Sequence, residues 1–125
     1  MRTLRALPIL ILAGLVACAD EGPLSGPGTL TATLMSPNGA EGAALVILVG
    51  EGIGAVTAVG ATEVHTRAGA GSMQIVLINQ QGGDLSFQLA VADTTQPPQA
   101  IVQEVAGPDD ELRSVLTAYV VEFGR

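Results

Sequence analysis

Leu85-Ser86-Phe87-Gln88-Leu89-Ala90-Val91 is the stretch that decides the fold. Leu85, Phe87, Leu89 and Val91 fall on one side of an extended chain and Ser86, Gln88 and Ala90 on the other. That period of two marks a strand with one face in a core and one in water. Working outward, the same chemistry recurs on both sides. Thr29 to Leu34 alternates threonine with apolar residues, and Ser36-Pro37-Asn38-Gly39 is a turn signal. Ala43 to Val49 is an unbroken apolar run, too short and too β-branched for a helix. It predicts a strand buried on both faces or central in its sheet.

Gly50 to Gly54 interrupts that run, and Ala55–Val59 and Glu63–Arg67 read as two short strands around Gly60. Met73 to Ile78 reads as a strong strand. Its low charge and high β-propensity would make it an aggregation risk at an edge, so it is expected in the middle of a sheet. Gln80-Gln81-Gly82-Gly83-Asp84 is expected to turn the chain, and Asp93 to Pro98 to form a loop. Gln99–Ala106 and Tyr119–Phe123 complete the strands, with a single helical turn possible over 110–116. Turn signals every 8–12 residues without a sustained helical period predict an all-β chain, a single antiparallel β-sandwich over residues 29–125.

The N-terminal residues have another character. Met1 to Arg5 carry two arginines, and Ala6 to Ala17 is apolar but too short to span a bilayer core, which takes about 20 residues. This is the layout of a cleaved export signal. It closes on Leu15-Val16-Ala17-Cys18, which resembles the lipobox of bacterial lipoproteins. The resemblance implies diacylglycerol on the Cys18 thiol and cleavage in front of it, with residues 1–17 as the signal. The new amine is usually acylated as well. Each buried methylene contributes about 0.8 kcal/mol, and two or more acyl chains hold firmly where one does not. An ordinary secretory signal with a chance cysteine and an uncleaved membrane anchor are the other readings of this segment. Ala19, rather than Asp, follows Cys18, which by the same resemblance favours the outer over the inner membrane. Residues 18–28, rich in Gly, Pro and acids, are expected to be a linker of at most about 35 Å reach.

The 125 residues are 48% hydrophobic and 14% charged, with a net charge of −7 and one cysteine. Removing the signal leaves Arg67, Arg113 and Arg125 against twelve acids, a net charge of −9, with no lysine. Such a surface repels nucleic acid, and membrane attachment through a basic patch is excluded.

The stretch from Gly83 to Val91 also resembles the late strand of cohesin-type modules, and the run Ala43 to Val49 is similarly placed. That resemblance implies a jelly-roll sandwich that recognises another protein; an Ig-like sandwich is the other form the pattern allows.

Candidate chemistry is sparse. His65 could act as a general base, but Glu63, His65 and Arg67 share the polar face of a strand and read as solvated. One histidine and no domain thiol cannot make a zinc site. Asp109-Asp110-Glu111 lacks the spacing of a calcium loop and reads as a turn. Asp84 and Asp93 flank one strand at opposite ends. Ser72, Ser86 and Ser114 have no nucleophile-elbow context. With no Trp, and with Phe87, Tyr119 and Phe123 on apolar faces, stacking platforms for sugars are not expected. The expectation is a lipid-anchored envelope module that is not an enzyme, uses no cofactor or metal and binds a protein partner. A surface-anchored ligand- or glycan-binding module and an accessory hydrolase are the alternatives.

Overall fold

A computed structural model describes residues 25–125. The export signal, Leu15, Val16, Ala17, Cys18 and most of the linker lie outside the described residues. Eight strands follow one another: β1 (Gly28–Met35), β2 (Glu41–Val49), β3 (Ile53–Ala58), β4 (Glu63–Gly69), β5 (Ser72–Gly83), β6 (Ser86–Val91), β7 (Gln99–Ala106) and β8 (Val120–Gly124). No helix occurs among the described residues.

The strands form two four-stranded sheets, in the orders β3-β6-β1-β8 and β4-β5-β2-β7, with every neighbouring pair antiparallel. The chain is a β-sandwich. Only β4 and β5 are consecutive strands in one sheet; their turn is Ala70-Gly71, with Gly71 at φ +70°. Every other connection crosses from one sheet to the other. The pairs β1·β8, β2·β7, β3·β6 and β4·β5 are the rungs of one long hairpin folded at that turn. Rolling the hairpin sets β1 against β6 and β2 against β5.

The alternation read in 85–91 is what fills the interior. Phe87, Leu89 and Val91 of β6 with Leu30, Ala32 and Leu34 of β1 face Ala44, Val46 and Leu48 of β2 and Ile75 and Leu77 of β5. Leu85, Val105 and Tyr119 close the ends, and Val121 and Phe123 pack on the margin. Fully burying each larger side chain contributes about 1.5–3 kcal/mol. Met73–Ile78 lies in a central strand, as expected.

Two local expectations are corrected, and one that left two alternatives is resolved. Residues 80–83 do not turn: β5 runs through Gly83, which pairs with Glu41 beyond a register shift whose extra residues lie on β5. Asn79 holds that strand end, donating from Nδ2 to the Asp84 carbonyl (3.2 Å) and accepting the Gln81 N–H at Oδ1 (3.1 Å). Sheet pairing outweighs the weak strand propensity of Gln and Gly.

Residues 110–116 form no helical turn. Asp110 adopts φ +68°, the Gly107 N–H bonds the Glu111 carbonyl, and Leu112 bridges back to Ala106. One helical turn is costly to nucleate, and long-range contacts claim the segment instead. Finally, β2 is central in its sheet but is not buried on both faces: Ala43, Leu45 and Ile47 point outward and are only half-covered.

Candidate functional site

Two places concentrate chemistry or exposed apolar surface. The first is the outer face of the sheet β4-β5-β2-β7. Pairing registers lay its outward residues in rows across four strands: Glu63–Ile78–Ala43–Ala106, His65–Val76–Leu45–Glu104 and Arg67–Gln74–Ile47–Ile101, with Val49 beyond. The two central strands present Ala43, Leu45, Ile47, Val49, Val76 and Ile78, and charges stand only on the flanking strands. Val76 is 36% exposed and Ile101 43%. Ala43, Leu45, Val76, Glu104, Ala106 and the 68%-exposed Leu112 line a shallow concavity of about 210 Å³.

The charged rim sorts by edge. On β4, His65 Nε2 lies 3.3 Å from Glu63 Oε1, and both side chains are largely in water. His65 therefore sits where expected, on an open strand with Glu63 and Arg67. On β7, at the opposite edge, stands Glu104. Among the described residues neither Arg67 nor Glu104 has a hydrogen-bond or ion-pair partner.

The second place is a polar hub at one end of the sandwich. Glu41, at the start of β2, is 1% exposed. Its Oε1 accepts from Arg113 Nε (3.0 Å) and lies 3.0 Å from Nη2 of the same guanidinium in an ion pair, and its Oε2 accepts from Ser36 Oγ and Tyr119 Oη, both at 2.5 Å. Asn38 Nδ2 donates to Tyr119 Oη (2.8 Å). Burial pushes the Glu41 carboxyl up; the donors Ser36, Tyr119 and Arg113, with the guanidinium charge, more than offset it and hold the group below its usual range. The same bond raises Arg113, against a smaller opposing effect of desolvation.

Every acceptor position on the carboxylate that matters is occupied from within the chain, and the group does not open to solvent. The hub fastens residues 107–119 onto β2. The other buried polar side chains, Thr62 and Asn79, lie at this same end, both donating to the Asp84 carbonyl.

The remaining candidates do not converge. Asp84 and Asp93 lie at opposite ends of β6; Asp93 accepts the Thr95 hydroxyl (2.7 Å), the Thr95 N–H (2.9 Å) and the Gly26 N–H (3.3 Å), which hold its carboxyl low. Asp109 Oδ1 accepts the Glu111 N–H (3.3 Å) within the 107–111 turn. Among the described residues no three His, Cys, Asp or Glu side chains are grouped to hold a metal. Ser86 Oγ donates to Thr33 Oγ1 across two paired strands (3.2 Å).

Sequence reading missed the hub because Glu41 meets Arg113 and Tyr119 across 72 and 78 residues. It missed the outer face because an unbroken apolar run fits two-sided burial equally well. No protein-family model, curated protein or solved structure matches this chain.

Proposed function

We propose that this chain is a lipid-anchored protein of the bacterial cell envelope whose sandwich is a non-enzymatic protein-recognition module. In this reading Cys18 carries the lipid, the linker that follows it tethers the domain, and the outer face of β4-β5-β2-β7 makes the contact. The observation that carries the recognition half is that face. Apart from Gln74, its outward residues over 43–49 and 74–78 are apolar across both central strands, although nothing in the core requires it. The address rests on Leu15-Val16-Ala17-Cys18 behind a basic, then apolar, N-terminus. An anchor of this type explains how a domain of net charge −9 is held at a bilayer without a basic patch.

The intact mass of chain extracted from membranes tests the address. The expected species begins at residue 18 and carries diacylglycerol on sulfur; one that begins upstream, or has a free thiol, overturns it. Cross-linked capture from solubilised envelope tests recognition. Wild-type chain is expected to retain a specific protein that Val76→Lys loses.

A further inference from the structure

We infer that the outer face of β4-β5-β2-β7 pairs with the same face of a second copy of this chain, about a two-fold axis parallel to the strands. This deepens the recognition reading above and rests on it.

Two apolar sheet faces pack about 10 Å apart with their strands within about 30° of each other. An axis between them, parallel to the strands, lays β5 over β2 of the second copy and β4 over β7 of the second copy. Residues at one height on the sheet then stay at one height across the interface. His65 and Glu104 share a row, at opposite edges. The operation therefore sets His65 of each copy against Glu104 of the other, with Arg67 one strand position along and long enough to reach the same carboxylate.

Within one chain, Arg67 and Glu104 stand three strand spacings apart, about 14 Å, and cannot meet. Both lack a partner among the described residues. An unpaired cation on one edge and an unpaired anion on the other, with apolar strands between, form a self-complementary pattern, as an isologous interface requires. The opposite sheet has no such arrangement: its central outward positions are Thr29, Thr31, Thr33, Ser86 and Gln88.

Size sets the strength. Four strands by seven residues cover about 19 × 23 Å, roughly 440 Å² per copy. A standard stable interface covers about 800 Å² per partner. The excess of acids on both copies adds net repulsion. The pair is weak and concentration-dependent.

Sedimentation velocity of the full chain in density-matched detergent tests this. The chain is expected to dimerise at hundreds of micromolar, as an interface at the low end of the size range does. Arg67→Glu and Glu104→Arg should each raise the dissociation constant about tenfold, and the double reversal should restore it to within about threefold. Dimerisation that ignores both reversals overturns the two-fold geometry, and a monomer up to about 1 mM overturns self-pairing altogether. If that monomer still captures an envelope protein that Val76→Lys loses, recognition stands and only the second copy is wrong. If Val76→Lys changes no capture either, both readings fall.

Discussion

The two sheets share one core and present unlike surfaces to water. On β3-β6-β1-β8 the residues behind Leu30, Ala32, Leu34, Phe87 and Leu89 are Thr29, Thr31, Thr33, Ser86 and Gln88, with Glu122 beside Thr33; Met35 and Val120 make one apolar corner. On β4-β5-β2-β7 the residues behind Ala44, Val46, Leu48, Ile75 and Leu77 are Ala43, Leu45, Ile47, Val49, Val76 and Ile78, with Gln74 the one polar side chain among them. Folding demands only that inward positions be apolar. The threonine-rich sheet meets that demand and stops; the other carries apolar side chains on its outer face as well, at a cost in solubility. The excess is therefore read as binding surface rather than as stability.

The largest effect expected comes from what the sheets have in common. Phe87→Ala removes the largest fully buried side chain and should cost about 3–5 kcal/mol in urea unfolding. Amides of both sheets should lose protection together, and loss confined to one sheet would break the picture of a single core.

Next is the hub, which ties residues 107–119 to the apolar-faced sheet. Arg113→Ala should lower the melting temperature by about 10 °C at neutral pH. Here the sign of the pH dependence decides. In the wild type the Glu41 carboxyl is held low, so its contribution is full above the ordinary carboxylate value near 4.5 and is lost as pH falls through the depressed one. Without Arg113 the Ser36 and Tyr119 donors still act against burial, so the carboxyl is held less low and its contribution is lost at a higher pH than in the wild type. The gap between the two melting temperatures should narrow as the pH falls through the carboxylate range. A gap of constant width would show that Glu41 is not held low by Arg113.

Exchanging the faces sharpens the comparison directly. Val76→Lys with Ile101→Lys should abolish binding of a hydrophobic fluorescent dye while moving stability by less than about 1 kcal/mol, and Thr31→Ile with Gln88→Leu should create such binding on the other sheet. The smallest change expected is at His65. Its pair with Glu63 is solvated, so His65→Ala should alter stability by no more than about 0.5 kcal/mol in the same urea titration.

What could be read from sequence follows from the range of the forces involved. β1 and β6 were legible because a period of two is a local property, and Met73–Ile78 could be placed centrally because an apolar strand cannot tolerate an edge. The end of β5 was not legible. Gln80 to Gly83 carry turn-type residues, and only their pairing with the start of β2, some forty positions away, extends them. The segment 107–119 misled in the same way: Asp110, Glu111 and Arg113 look like a helix entry until Glu41 draws the guanidinium inward. Of the candidate site, the rim residues Glu63, His65 and Arg67 were recognised as sharing one exposed strand face. The apolar rows between the rims were not, because an uninterrupted run of Ala, Leu, Val and Ile does not record whether anything lies over its second face.

The single hairpin among seven connections has a consequence for the order of events in synthesis. β1 finds its neighbours only in β6 and β8, and β2 only in β5 and β7, so almost every stabilising rung joins the two halves of the polypeptide. Such topologies fold slowly, since distant segments must meet before any enthalpy is recovered. A polypeptide delivered end-first therefore cannot pair β1 or β2 until residues 72–91 have followed them. The architecture itself delays closure until the strands of the second half arrive.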